Sequence, residues 1–409
     1  MIKLRDFKEC LNLTVIIASL GYFVDLFDIT LFGVVRVASL KDLGLTDPQE
    51  ILSSGVFIYN AGMVGMMVGG VLWGILGDKK GRLSVLFSSI LLYSLANIAN
   101  AFVWDVNSYA FVRFIGGIGL AGELGAAITL VSESLPKEKR GIGTTIVATC
   151  GMLGIIAAAS LGQILPWKAS YILGGVMGLA LLVARVKMAE SNLFTNHAGS
   201  SASRGNIFLL FKPKLLFKYL SCIAIGVPIY FTTGILFTFA PELTRGLNVQ
   251  GEVTAGNAIL LGSIGLALGD LLSGIISQGL QSRKKAIGMS LLVAFGSMAL
   301  YTLSTDPSAN WIYSICFVLG TAVGYWAMLV TVAAEQFGTN IRATVATTIP
   351  NFVRGSAVMV TLLFVQMKEF FAVPHAAFLV GTFCFGLAFL GLWYISETFN
   401  KDLNFNEES

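Results

Sequence analysis

Long apolar runs separated by short polar breaks dominate this chain. Runs at 9–39, 51–77, 83–103, 107–134, 141–164, 168–187, 215–242, 253–280, 285–304, 309–334, 343–367 and 374–398 are each of a length that can cross a bilayer as a helix. The pattern therefore predicts about twelve spanning helices and an all-α polytopic membrane protein. One polar break is much longer than the others. It covers 189–214, contains Gly199-Ser-Ser-Ala-Ser-Arg204, and leads into Phe208-Leu-Leu-Phe-Lys-Pro-Lys214. That composition reads as a cytoplasmic linker, so the expected organisation is a six-helix half at 1–188, the linker at 189–214 and a second six-helix half at 215–409.

Composition supports a membrane protein. Of 409 residues, 55% are hydrophobic and 12% charged, and the mean hydropathy is +0.78. A soluble domain of this length would not have enough polar surface to cover itself. The lipid bilayer is thus a partner, and a net charge of +4 spread over membrane loops does not point to nucleic acid. The five cysteines (Cys10, Cys150, Cys222, Cys316 and Cys384) show no metal or pairing spacing, and there are only two histidines. No metal centre, cofactor or catalytic constellation is expected, and the chain does not read as an enzyme. Most Lys and Arg fall on one set of loops when the N-terminus is placed in the cytoplasm. Lys79, Lys80, Arg82, Lys137, Lys139 and Arg140 are among them, and Arg185 is counted with that group, while Arg36 falls at the outer edge. The bias predicts two cytoplasmic termini in the inner membrane.

The two halves repeat. Gly62, Gly65, Gly69 and Gly74 recur as Gly262, Gly265, Gly269 and Gly274. Glu133-x-x-Pro136-x-x-x-Arg140 recurs as Glu335-x-x-Gly338-x-x-x-Arg342, and Gly122 maps to Gly324. Two similar six-helix halves around a central site are a transporter plan.

Charges inside the bilayer cost about 2.5–3.5 kcal/mol each at mid-helix and so mark function. The first helix carries Tyr22-Phe-Val-Asp25-Leu-Phe-Asp28, with both carboxylates on one face. Two acids this close in a low dielectric cannot both hold a charge cheaply, which suits a proton-coupling pair. The fourth helix carries Arg113 and Glu123. Arg113 is a natural partner for the first-helix aspartates, and Glu123 is a further proton carrier or a buried acid tying helices together. The eleventh helix holds Pro350-Asn351-Phe-Val-Arg354. Arg354 has no counterpart in the first half, where Met152 stands, so it reads as an anchor for a carboxylate or phosphate. Asp270, on the eighth helix, is the acid that could instead neutralise it. Tyr22, Tyr230, Tyr325, Trp326 and Asn351 are candidates to line the substrate cavity.

The loop Gly74-Ile-Leu-Gly-Asp78-Lys79-Lys80-Gly81-Arg82 joins the second and third helices. It resembles the signature loop of the major facilitator superfamily. That resemblance covers nearly the whole chain and implies two pseudo-symmetric six-helix bundles rocking by alternating access around a central cavity, in a protein that works as a monomer. The second-half copy, Ser277-Gln-Gly-Leu-Gln-Ser-Arg283, has no acid matching Asp78. Gly74, Asp78, Lys79, Gly81, Arg82, Glu133, Arg140, Glu335 and Arg342 are the candidate gating residues, their charges forming latches that hold one conformation. Asp25-Leu-Phe-Asp28, Arg113-Phe-x-x-Gly-x-Gly and Ser132-Glu133-x-x-Pro136-x-x-x-Arg140 are similar to proton-coupled organic-acid and metabolite symporters. The expected function is proton symport of a small organic anion of carboxylate type. A cationic or zwitterionic metabolite, phosphate, or efflux by proton antiport are the alternatives.

Overall fold

The structure is a computed structural model. It describes residues 12–80, 82–123, 135, 140–190 and 212–399, with the backbone alone described at 74–75, 77–80, 82–84, 140–145, 186–190, 339–340, 342–344 and 346–347. The chain divides into two compact units, Met1–Ser200 and Ser201–Ser409. Among the described residues there is no strand. Among the described residues ten helical stretches are long and apolar enough to cross a membrane, counting Pro213–Phe237 and Ala309–Glu335 as one stretch each, and Val85–Asn100 is a shorter apolar helix.

The first unit consists of α1 (Leu13–Asp42), α2 (Pro48–Lys80), α3 (Arg82–Asn100), α4 (Val106–Leu120), α5 (Arg140–Ile164) and α6 (Trp167–Glu190). Local chemistry sets their ends. Asn12 caps α1 by accepting the Val15 N–H at 2.8 Å. Asp105 and Ser108 form a reciprocal box at the start of α4. The Ser108 N–H donates to the Asp105 carboxylate at 2.8 Å and the Asp105 N–H donates to the Ser108 hydroxyl oxygen at 3.2 Å; the Ser108 hydroxyl and N–H hold the Asp105 carboxyl below the usual carboxylate range. Helix α1 packs mainly on α5, α2 on α4, and α3 on α4 and α6.

The second unit consists of α7 (Pro213–Phe231), a π-helical turn (Thr232–Phe237), α8 (Ala240–Arg245), α9 (Ala255–Leu280), α10 (Arg283–Leu303), α11 (Ala309–Val323), α12 (Trp326–Glu335), α13 (Thr339–Met367) and α14 (Val373–Tyr394). Its packing repeats the first unit's, with α7 on α13, α9 on α11 and α10 on α14. The glycine repeat explains one of these contacts in both units. A methyl group on Gly65 would collide with the Phe114 carbonyl, and one on Gly265 with the Phe317 carbonyl. The shared glycines therefore let the second and fourth helices of each unit touch backbone to backbone.

Two expected spans are interrupted. Pro228 lies inside α7, and the π turn follows it, with the Thr238 N–H reaching back five residues to the Thr233 carbonyl at 3.3 Å. The tenth span breaks at Gly324-Tyr325 and restarts as α12. Apolar periodicity reads both as continuous spans, because a break inside an apolar run does not change its composition.

At one end of the second unit, Glu397 supplies the acid that the second-half loop lacks. Its carboxylate accepts the Ser282 hydroxyl, the Arg283 N–H at 3.0 Å and the Lys284 N–H at 3.2 Å, so it caps α10. Partial burial raises the Glu397 pKa, but the Ser282 hydroxyl and the Phe399, Arg283 and Lys284 N–H groups outweigh it and bring it down to about 2. A pKa lower in the folded than in the unfolded state stabilises at pH above the unfolded value of about 4.3. That stabilisation is lost as pH falls toward about 2. Glu397→Gln is expected to cost about 1 kcal/mol at neutral pH, as loss of a cap does. It should also flatten the acid limb of a thermal-stability profile between pH 5 and 3, which wild-type protein should show.

Candidate functional site

The first unit gathers its charges in two places. Asp25 and Asp28 are both fully buried on α1. Asp28 lies against α6 where Gly174 leaves room: a Cβ there would sit 2.6 Å from Asp28 Oδ1 and 3.4 Å from the Asn97 amide nitrogen. The groups that act on Asp28 electrostatically are Arg113, Asp25 and Asn97. The Asn97 amide faces the carboxylate from α3 without closing a regular hydrogen bond. Arg113, also buried, stacks its guanidinium over Phe32 at 5.4 Å. Phe32 meets Tyr109 edge-on at 5.6 Å, and Tyr109 shares a 2.7 Å hydroxyl bond with Tyr171. The carboxylates, Arg113 and this aromatic column form one buried polar seam between α1, α3, α4 and α6.

The second place is the Glu123–Arg185 pair. The two side chains are bidentate, at 2.5 and 3.1 Å, and almost fully buried. They fit against α1 because residue 21 is glycine; a methyl group there would overlap both. Arg185 is thus a buried helix-to-helix partner, whereas the sequence places it among the loop cations. Arg36, placed at the outer edge by sequence, is also fully buried, packed against Gly55. Breaking a buried pair from one side strands a charge and costs about 3–5 kcal/mol. Glu123→Gln or Arg185→Gln should therefore lower the thermal midpoint of detergent-solubilised protein markedly. The double variant should lose less than the two single losses combined, and additive losses would contradict the pairing.

The second unit brings a different set together. Arg354 is buried on α13, and its Nε–H donates to the Tyr230 hydroxyl on α7 at 3.1 Å. Tyr230 packs edge-on against Trp326, the first residue of α12, with centroids 5.9 Å apart. Asn351, one turn before Arg354, is also buried. An arginine fork beside an aromatic face can hold a carboxylate and a ring at once. Two of the candidate aromatics sit elsewhere. Tyr325 is fully buried and donates to the Ile225 carbonyl at 2.9 Å, close to Pro228. Tyr22 packs among Val15, Ala18, Leu26, Leu135 and Val147. Asp270 bonds backbone on α12, accepting the Ala327 N–H at 3.0 Å. That interaction is not legible in sequence, because it needs the helix break.

Of the candidate latch residues, Glu335 is bonded to Arg283 at 2.7 Å. Gly81 and Glu133 lie outside the described residues, and of Gly74, Asp78, Lys79, Arg82, Arg140 and Arg342 only the backbone is described. Among the described residues no group of acids, histidines and cysteines could hold a metal ion.

Paired glycine seams, interrupted helices and buried charges within a polytopic bundle define a membrane transporter. The match to the Major Facilitator Superfamily over residues 18–362 shows that the chain belongs to that family. It is 30% identical to the 3-(3-hydroxy-phenyl)propionate transporter of Escherichia coli (strain K12), over 70% of this chain and 71% of that one. It is 25% identical to the putative niacin/nicotinamide transporter NiaP of Bacillus subtilis (strain 168), over 85% of this chain and 86% of that one. The crystal structure of a D-xylose-proton symporter shares the fold, with a TM-score of 0.69 at 17% identity, covering 95% of this chain and 99% of that one.

Proposed function

We propose that this transporter moves small aromatic monocarboxylates by proton symport with alternating access, as a monomer in the cytoplasmic (inner) membrane with both termini cytoplasmic. The observation that carries the reading is the buried Arg354 held by Tyr230 beside Trp326. A buried guanidinium suits an anion, and one bonded to a tyrosine that packs on a tryptophan suits an anion attached to a flat ring. The 3-(3-hydroxy-phenyl)propionate transporter and the putative niacin/nicotinamide transporter NiaP support this substrate class, since 3-(3-hydroxy-phenyl)propionate and niacin each join a six-membered aromatic ring to a carboxylate.

Asp25, Asp28 and Glu123 are the protonable carboxylates. Glu123 is engaged by Arg185, so the coupling proton acts first at the α1 pair, with Arg113 as the cation that responds. Protonation of Asp28 removes a negative charge that acts on Arg113, and the carrier then accepts the anion in the second unit at Arg354, Asn351, Tyr230 and Trp326. The cytoplasmic charges act as latches: Arg283 with Glu335 and Arg342 in the second half, and Asp78, Lys79, Arg82, Glu133 and Arg140 with the hinge glycines Gly74 and Gly81 in the first.

Thermal unfolding of purified protein against benzoate, nicotinate, 3-(3-hydroxyphenyl)propionate, the matching amides, amines and sugars tests the reading. The acids should raise the midpoint, since a ligand that binds the folded state stabilises it. The same acids should accumulate in proteoliposomes under an imposed pH gradient. Stabilisation and uptake confined to amines or sugars would overturn the proposal.

A further inference from the structure

The break at Gly324-Tyr325 gives α12 an N-terminus inside an apolar span. The first N–H groups of a helix have no partner within it and are costly to leave bare in such surroundings. Tyr325, the residue at the cap position, makes no side-chain cap bond. Asp270 does the work from a different helix. Its Oδ1 accepts the Ala327 N–H at 3.0 Å, and the Trp326 N–H faces the same carboxylate. Glycine at 324 permits this approach, because a Cβ there would lie 2.7 Å from the Gly269 Cα and 2.8 Å from the Asp270 nitrogen. The position matching Asp270 in the first half is Gly70.

Asp270 fixes the first turn of α12, which Trp326 opens. The Trp326 ring meets Tyr230, and Tyr230 receives the Arg354 Nε–H. A continuous set of contacts therefore runs from a carboxylate on α9, through the start of α12, to the arginine on α13. We propose that Asp270 is a positioning residue: by docking the N-terminus of α12 on α9 it sets the Trp326 ring against Tyr230 and Arg354. It also occupies a helix N-terminus that would otherwise attract an anion, which leaves the substrate carboxylate to Arg354. This rests on the reading of Arg354, Tyr230 and Trp326 as the substrate site.

Asparagine keeps an oxygen that accepts the N–H but removes the charge, whereas alanine removes the cap. The test uses full-length protein in which Trp326 is the sole tryptophan, the other five being phenylalanine. Asp270→Ala should shift Trp326 emission and raise its quenching by acrylamide, while Asp270→Asn leaves both near the parent values. In proteoliposomes Asp270→Ala should raise the KM for 3-(3-hydroxyphenyl)propionate by about tenfold, equivalent to about 1.4 kcal/mol of lost binding, with a much smaller change in maximal rate. An Asp270→Asn variant as damaged as Asp270→Ala would overturn the proposal, as would an unchanged Trp326 signal in Asp270→Ala. Should Asp270→Ala fail to fold, hydrogen exchange on the parent protein decides the matter: the Ala327 amide should be protected, and exchange at the rate of an open loop would overturn the cap. The Trp326 signal needs no substrate, so failure of the parent to carry any aromatic acid would count against the substrate reading alone.

Discussion

Asp28→Asn is expected to abolish uphill accumulation while leaving exchange of substrate across the membrane intact. Asn has nearly the same shape as Asp, so packing against Gly174 and the approach of Asn97 should survive. The ability to alternate between charged and neutral forms is lost. Asp28 and Arg113 interact electrostatically, so the charge seen by that guanidinium changes when a proton binds or leaves Asp28. In the variant Arg113 always meets a neutral neighbour, which mimics the protonated carrier. Such a carrier can bind and reorient with substrate, but it no longer consumes the gradient. Each coupled proton sustains about a tenfold concentration ratio per pH unit, so the variant should lose about that factor of accumulation for every unit imposed. Asp25→Asn should act in the same direction, because Asp25 is the second carboxylate acting on Asp28. Proteoliposomes loaded with substrate separate the two behaviours: counterflow should persist at a rate near wild type, and pH-driven uptake should vanish. Normal uphill uptake in both variants would remove the α1 carboxylates from coupling.

Much of the bundle was legible because a bilayer leaves few options. Runs of apolar residues must form helices, since only internal hydrogen bonding satisfies the backbone in lipid. The glycine repeat was equally readable, and the structure gives it a cause in the contacts of Gly65 with Phe114 and Gly265 with Phe317. Charges in apolar runs likewise announced Asp25, Asp28, Arg113, Glu123 and Arg354, all of which are buried.

What sequence could not supply was pairing. Arg185 stands near the end of an apolar run, three residues before Met188, where a loop cation is the default reading. Only the packed unit shows that α6 carries it to Glu123 beside Gly21. Asn97 is one of many small polar residues on α3 and becomes distinctive only through Asp28. The acid missing from the second-half loop is replaced by Glu397, more than a hundred residues away along the chain. Tyr230, Tyr325 and Trp326 looked equivalent as aromatic candidates. The helix break separates them, turning Tyr325 into the core and presenting Trp326 to Tyr230.

Arg354→Lys should raise the KM for an aromatic acid by about tenfold or more while maximal rate changes far less. A carboxylate accepts two parallel N–H bonds from a guanidinium, and an ammonium cannot reproduce that fork even though its charge is the same. Loss of one charge-assisted bond is worth about 1.5–3 kcal/mol, and about 1.4 kcal/mol already corresponds to a factor of ten. The substitution also removes the Nε–H that the Tyr230 hydroxyl accepts at 3.1 Å, so the ring beside Trp326 loses its tether. Tyr230→Phe isolates that second effect, because it deletes the hydroxyl and keeps the guanidinium; it should raise KM by less than Arg354→Lys does. The matching neutral amides provide the decisive contrast. If Arg354 meets the substrate's charge, any weak transport of an amide should be nearly indifferent to Arg354→Lys while transport of the acid falls. If Arg354 only braces α13 against α7, acid and amide should suffer alike. A KM for the acid that stays at the wild-type value in Arg354→Lys would exclude the residue from the site, and with it the reason to place the anion beside Trp326.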